Sequence, residues 1–154
     1  MKLALNEIKI KAKIALKKER VEESSKQLKH YLQEVSMSMG FNSWQHASEL
    51  LSGKCKSPES ADFGTFFHAP ACDSLINHWF SSYSEAREIH LLRQESYLLP
   101  YKRHFVVAGS GYLTAIGLNQ QVLDEFPSMN LDFVQSYGTA EWDKLSLTII
   151  RSRS

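Results

Sequence analysis

The amino-acid sequence predicts an α+β protein in which an N-terminal helical subdomain packs on a small mixed β-sheet with flanking helices. Two observations lead to this prediction. Residues 6–52 carry apolar side chains at helical spacing between capping and stop residues. Beyond residue 62, short aromatic and β-branched runs typical of strands alternate with helical patterns. The predicted organisation is a helical subdomain over residues 1–53, a linker over 54–62 and an α+β subdomain over 63–154.

The composition is that of an ordinary globular chain, with 154 residues of which 43% are hydrophobic and 23% charged. A chain of this length buries about 70% of its unfolded surface, so it needs no disulfide or metal to fold. The longest apolar runs fall well short of the roughly 18 residues that a membrane-spanning helix requires, and two cysteines do not make a disulfide scaffold. We therefore expect a cytoplasmic protein that binds no membrane and no cofactor.

The net charge of +1 hides an asymmetry along the chain. Residues 1–56 contain 11 Lys and Arg against 6 Asp and Glu, whereas residues 57–154 contain 7 against 11. A basic front and an acidic back can attract each other or serve different partners. Neither part has the charge density expected of a strong DNA-binding domain.

The first predicted helix contains EIKIKAKIALKK, residues 7–18, whose alternation of apolar residues with lysine also fits a strand. Ala and Lys both favour helix over strand, so we predict a helix. At 100° per residue its apolar side chains form two stripes. The first contains Leu5, Ile8, Ala12, Ala15 and Leu16, and the second contains Ile10, Ile14 and Val21. We expect apolar partners on both sides, and Ile10 and Ile14 mark an interface if the monomer leaves them bare.

Two further helices complete the predicted subdomain. Ser24 or Ser25 can cap a helix that Gly40 ends, and Ser43 can cap a short helix closed by Gly53. The apolar face of the first contains Leu28, Tyr31, Leu32, Val35 and Met39, and that of the second contains Trp44, Ala47, Leu50 and Leu51.

After the predicted linker, FGTFFH (63–68) favours a strand. Asp73 or Ser74 can start a helix whose inner side would hold Leu75, Ile76, Trp79, Phe80, Tyr83, Ala86, Ile89 and Leu92. Residues 96–108 are predicted to be extended, and Ser110 to cap a short helix. Thr139 can cap a last helix, but LTII within residues 145–150 also fits a strand, and the pattern leaves both open.

Two stretches resemble known proteins. Residues 10–51, with a Lys- and Ala-rich helix and a second helix ending in Gly40, Phe41 and Trp44, resemble a helical segment of bacterial glyoxalase-related proteins. That resemblance implies helix packing and carries no catalytic residue. Residues 78–118 are similar to an uncharacterised group of bacterial proteins, some carried on mobile elements, which implies a shared fold and no known activity. The features shared with that group are Trp79-Phe80, Tyr83, Ala86-Arg87, Leu98-Leu99-Pro100-Tyr101, Phe105 and Leu113-x-x-Ile116-Gly117-Leu118.

Motifs that carry chemistry are weak in this sequence. The six histidines form neither an HxxxH pair nor HExxH, so no metal site is predicted. His68 and Cys72 in HAPAC could form a Cys–His pair, although two residues near a bend explain the pattern better. The turn VVAGSGYLTAIG offers weak anion binding at Ser110 and Gly111, but it lacks a phosphate-binding fingerprint.

Aromatic residues suggest binding more than catalysis. In YLLPYKRHF, a strand would place Tyr101 and Arg103 on one face, and Trp44 begins a helix that lacks the cations of a DNA-reading helix. With eight Phe, six Tyr and three Trp, some rings can line an interface. The sequence therefore predicts a non-catalytic binding module for a protein partner or a homo-oligomer, with interface residues Ile10, Ile14, Trp44, Tyr101 and Arg103. The alternatives are nucleic-acid binding through the basic front and an enzyme centred near His68 and Cys72.

Overall fold

The computed structural model describes residues 2–20, 27–126 and 131–153. Within these ranges the chain forms seven α-helices: α1 (Leu3–Arg20), α2 (Leu28–Ser38), α3 (Trp44–Leu51), α4 (Tyr83–Leu92), α5 (Ser110–Ala115), α6 (Gln120–Leu123) and α7 (Ala140–Ser152). Three strands, β1 (His78–Phe80), β2 (Tyr97–Tyr101) and β3 (His104–Ala108), form an antiparallel sheet in the order β1-β3-β2. The predicted α+β class with an N-terminal helical part is confirmed. Each helix within the described ranges is too short or too polar to cross a membrane.

The sheet is buried on both faces because β2 and β3 are almost wholly apolar. Leu99 and Val106 point into the main core, which also contains side chains of α1, α3, α5 and α7. Leu98 and Val107 point the other way, into a smaller cluster that contains Ala86 of α4. The sheet therefore holds α4 on one side and most of the helices on the other.

Helix α1 is attached through one of its two apolar stripes. Ala4, Ile8 and Ala12 are fully buried, and the helix contacts α2, α3 and α7. Ile10 is 48% exposed and Ile14 is 52% exposed. The expectation that apolar partners cover both stripes is thus wrong for these two isoleucines, and Val21 lies outside the described residues.

A carboxylate from the far end of the chain caps the start of α1. Asp143 of α7 is buried, and its two oxygens accept hydrogen bonds from the backbone N–H groups of Leu3 (2.7 Å) and Ala4 (3.0 Å). These amides have no partner inside the helix, and a negative charge is favourable at a helix N-terminus. Asp143 therefore joins the two ends of the chain.

We expect Asp143→Ala to lower the free energy of unfolding by about 1–3 kcal/mol, because two amides of the first turn lose their acceptor. Asp143→Asn keeps one carbonyl oxygen and should cost less. Urea denaturation followed by circular dichroism checks both variants. An unchanged midpoint for Asp143→Ala would show that water replaces the carboxylate without loss.

Most of the predicted helix boundaries agree with the structure. Gly40 follows the end of α2 with a left-handed φ of +100°. Ser43 Oγ accepts a hydrogen bond from the His46 N–H at the start of α3, and Thr139 Oγ1 accepts one from the Trp142 N–H at the start of α7. Ser24 and Ser25, predicted as caps, lie outside the described residues. The predicted cap Ser110 is instead the first residue of α5, and Gly109 takes the cap position without a side-chain hydrogen bond.

The prediction of a strand at residues 63–68 is wrong. The segment is a turn in which Phe66 and Phe67, neighbours in sequence, are both buried, which a strand with one buried face does not allow. The turn is held by hydrogen bonds from the Thr65 N–H to the Gly40 carbonyl (2.9 Å) and from the Lys102 N–H to the Gly64 carbonyl (2.7 Å).

The prediction of one helix from Asp73 or Ser74 to Leu92 is also wrong. Residues Pro70–Ser74 form a short 3-10 turn, residues 78–80 pair with β3, and α4 begins only after Ser82. Leu75 and Ile76 are exposed as a consequence. Residues 78–80 form hydrogen bonds with the edge of β3 in place of a continuous helix, because tertiary pairing overrides their helical spacing.

The predicted extended segment 96–108 folds back on itself as the hairpin of β2 and β3. Lys102 takes a left-handed φ of 52° in the tight turn, a role that glycine or asparagine usually fills, so the sequence gives no turn signal. Residues 145–150, which the pattern leaves open, are helical and belong to α7.

Candidate functional site

Two aromatic side chains lie side by side at the surface, at the end of the sheet that contains β1. We call them the aromatic patch and define it as Trp79 and Tyr101. Trp79 packs edge-on against Tyr101, with ring centroids 5.2 Å apart and an interplanar angle of 72°. Trp79 is 47% exposed, so the patch offers a large apolar group to solvent. Leu75 and Ile76, which precede β1 in the sequence, are exposed as well.

The sheet sets the position of both rings. Trp79 is the middle residue of β1 and lies opposite Val106, and Tyr101 is the last residue of β2 and lies opposite His104. Both neighbours belong to β3, the central strand. Because two strands hold the rings from opposite sides of β3, their separation is fixed by the hydrogen-bond register.

His68 supports the patch from beneath. Its ring lies 5.0 Å from the Tyr101 ring and 6.3 Å from the Trp79 ring. Nε2 contacts Asp73 Oδ1 at 3.1 Å and Nδ1 contacts the Tyr112 hydroxyl at 3.2 Å. The Tyr112 hydroxyl donates to the Phe67 carbonyl (2.7 Å), so its oxygen is left to accept from His68. Burial raises the pKa of Tyr112, which keeps this donor protonated.

Rings held in this way suit recognition of a partner. Trp and Tyr bring large contact area at a low cost in conformational entropy, and they are enriched among residues that dominate binding energy. Charges lie close by: Lys102 Nζ is 5.5 Å from the centre of the Tyr101 ring, and the Asp73 side chain is exposed. The patch therefore combines an apolar centre with a polar edge.

Comparison with protein families, with curated proteins and with solved structures gives no match. The two resemblances drawn from the sequence stay predictions. Any function must accordingly be argued from the side chains of this chain alone.

A second feature is a cleft of about 560 Å³ between the ends of α2, α5 and α7. Arg153 lies in it, donating to the carbonyl oxygens of Met39 and His68 at 3.0 Å each, with its guanidinium 5.4 Å from the Phe66 ring centre. Burial lowers the pKa of Arg153. Three helices end at this cleft, and their C-terminal carbonyls favour a cation. The guanidinium therefore serves the fold, tying the C-terminal helix to the segments around Met39 and His68.

His68 and Cys72 do not form a pair. Both ring nitrogens of His68 have other partners, and the fully buried Cys72 thiol points to the Tyr112 carbonyl oxygen, 3.9 Å away. Burial raises the pKa of the Cys72 thiol, which opposes formation of the nucleophilic thiolate. Within residues 2–20, 27–126 and 131–153, no group of three or more His, Cys, Asp and Glu is arranged to hold a metal ion.

The predicted interface residues fall at separate places. Ile10 and Ile14 lie one turn apart on α1, and only Tyr101 belongs to the aromatic patch. Trp44 is half-buried against the main core, where its backbone N–H donates to Gln33 Oε1 at 2.9 Å. Arg103 does not share a strand face with Tyr101, because the hairpin turns at Lys102.

Arg103 instead donates to the Ser60 carbonyl at 3.2 Å and lines a different cleft of about 380 Å³ with His46, Cys55 and Asp62. Ser110 and Gly111, the predicted anion site, are exposed at the start of the six-residue helix α5. A helix this short offers little dipole to an anion.

Leu75, Ile76 and Trp79 lie at the surface, although the sequence pattern predicts them on the inner side of a helix. One sequence signal does indicate that this helix, α4, starts later. Ser82 is followed three residues later by Glu85, the pattern of a capping box, and Ser82 Oγ does accept from the Glu85 N–H. A helix starting there leaves His78–Phe80 free to form a strand.

Proposed function

We propose that the chain is a non-catalytic binding module of the cytoplasm that holds a protein partner on the aromatic patch. The observation that carries this proposal is the half-exposed Trp79, whose ring packs against the rings of Tyr101 and His68. Isolated apolar residues are common on protein surfaces, but a tryptophan held in place by neighbouring rings is typical of the residues that dominate binding energy.

Two other observations support the proposal. Cys72, the candidate nucleophile four residues after His68, is buried, and burial raises the pKa of its thiol. Cys55 and Cys72 are free thiols, which suits the reducing cytoplasm. Nucleic-acid binding through the basic front has less support, because apolar side chains interrupt the lysines of α1 and α3 presents no cation to phosphate.

Selection of a displayed random-peptide library against the whole protein tests the proposal. We expect selected peptides to bind in the micromolar range or tighter and to lose at least about tenfold in affinity on Trp79→Ala, measured by fluorescence anisotropy. Leu92→Ala is the matched control, since Leu92 is also exposed and apolar but lies at the end of α4, outside the patch, and it should leave the affinity unchanged.

Trp79→Ala should alter the unfolding midpoint little, because half of the side chain is already in solvent. Peptides that bind Trp79→Ala as tightly as the wild type would contradict the proposal. A partner can also be a second copy of the chain, in which case light scattering gives a mass near twice 17.6 kDa that Trp79→Ala returns to the monomer value.

A further inference from the structure

The exposed side of α1 has the residue pattern of one helix of a coiled coil. Ile10 and Ile14 are half exposed, whereas Ala4, Ile8 and Ala12 on the opposite side are fully buried. The core therefore fixes the helix, and the two isoleucines are presented to solvent on a rigid support. A partner helix would meet this surface without first ordering it.

The spacing along this side alternates between four and three residues, as the a and d positions of a heptad do. The residues at this spacing within the described part of α1 are Leu3, Glu7, Ile10, Ile14 and Lys17. Leu3 and Glu7 are partly buried, so the exposed part begins at Ile10. With Ile10 at d and Ile14 at a, the e and g positions beside them are Lys11, Lys13 and Lys18. We call Ile10, Ile14 and these three lysines the α1 seam.

The lysines of the seam have no counter-charge within the described part of the chain. None of the three side chains forms an ion pair or hydrogen bond there. The nearby acid of the helix, Glu7, is mostly buried and faces Arg151, with Oε2 3.7 Å from Nε. Among the described residues, the seam thus joins two apolar groups to three positive charges that no acidic side chain pairs with.

This charge pattern selects among possible occupants. A second α1 would place lysine opposite lysine at the e and g positions, which opposes pairing. A nucleic acid would use the lysines but would leave the isoleucines without an apolar contact. A helix with apolar a and d residues and carboxylates at e and g matches both parts of the seam.

We propose that the α1 seam docks an acidic amphipathic helix of a protein partner. The partner places apolar side chains against Ile10 and Ile14 and carboxylates against Lys11, Lys13 and Lys18. This proposal concerns α1 and not the aromatic patch, so its experiments test it independently of the function proposed above.

Two synthetic helical peptides of about 21 residues, or three heptads, test the proposal against the whole protein. Both carry leucine at a and d; one has glutamate at all e and g positions and the other has lysine. We expect fluorescence anisotropy to show binding of the acidic peptide that weakens as sodium chloride rises, and no binding of the basic peptide. Repulsion between glutamates also keeps the acidic peptide from pairing with itself.

The double variant Ile10→Ser/Ile14→Ser should bind the acidic peptide at least about tenfold more weakly. Met37→Ser, at another exposed apolar position, on α2, should bind as the wild type does. Thermal unfolding of both variants shows whether the fold persists. Equal binding of the two peptides, no binding of the acidic peptide at low salt, or unchanged binding by the double variant would overturn the proposal. Binding of a DNA duplex or of phosphatidylserine vesicles in place of the acidic peptide would overturn it as well.

Discussion

Replacement of Asp132 by alanine is expected to lower the free energy of unfolding by about 3–5 kcal/mol. Asp132 is fully buried, and its Oδ2 accepts from the Tyr83 hydroxyl (2.6 Å) and from Arg87 Nη1 (2.7 Å). Its Oδ1 accepts from the backbone N–H groups of Val134 (2.9 Å) and Gln135 (3.0 Å). Removing the carboxylate leaves four donors without their acceptor, one of them a largely buried cation.

The same carboxylate determines how α4 meets the sheet. Tyr83 and Arg87 lie one turn apart on α4, and residues 131–133 are hydrogen-bonded to Leu98 of β2. Burial, and then the hydrogen bond to Asp132, raise the pKa of Tyr83, so the phenol remains a donor to the carboxylate. Asp132 therefore joins the helix, the sheet and the segment that leads to α7.

Guanidinium chloride denaturation of Asp132→Ala measures the loss. Asp73→Ala is the matched control, because Asp73 contacts a basic side chain, His68, but is exposed. We expect Asp73→Ala to lower the free energy of unfolding by no more than about 1 kcal/mol. Asp132→Ala and Arg87→Ala together should cost less than the sum of the two single changes, since they remove one interaction. A cost of Asp132→Ala no larger than that of Asp73→Ala would refute this role.

The second large effect is expected from Gly64→Ala, at about 2–5 kcal/mol. Gly64 has a φ of +58°, where an L side chain is strained by about 1–2 kcal/mol. A Cβ at this position would also collide with the Gly40 carbonyl oxygen, which accepts the hydrogen bond of Thr65. The collision adds about 1–3 kcal/mol, because backbone on both sides must shift.

Two other glycines separate these contributions. Gly138 has a φ of +83° but room for a methyl group, so Gly138→Ala should cost only the strain of about 1–2 kcal/mol. Gly109 has neither a positive φ nor a neighbour within 4 Å, so Gly109→Ala should change the unfolding free energy by less than about 1 kcal/mol. An equal loss of unfolding free energy for Gly64→Ala and Gly109→Ala in urea denaturation would contradict the predicted collision with the Gly40 carbonyl oxygen.

Sequence patterns succeeded where local chemistry decides the structure. Gly40, Ser43 and Thr139 act as stop and caps because their effect depends on hydrogen bonds within four residues. The inner stripe of α1 was also predictable, because burial of Ile8 and Ala12 follows helical spacing.

The two wrong assignments of secondary structure involve partners distant in sequence. The segment at Trp79 has helical spacing but pairs with β3, nearly thirty residues away, and the turn at 63–68 depends on hydrogen bonds to Gly40 and Lys102. Asp132 and Asp143 look like surface carboxylates in the sequence, yet each is buried by groups on other elements. The contact between Trp79 and Tyr101 could not be predicted for the same reason, since it exists only once β1 and β2 flank β3.

The central claim is that the chain binds a partner at the aromatic patch. The most direct measurement is a nitrogen-15 chemical-shift map of the whole protein titrated with a peptide selected from the random library. We expect the largest shifts on residues 78–80, His68 and Tyr101, around the exposed Trp79. Shifts that leave these residues unchanged and cluster elsewhere on the molecule would contradict it.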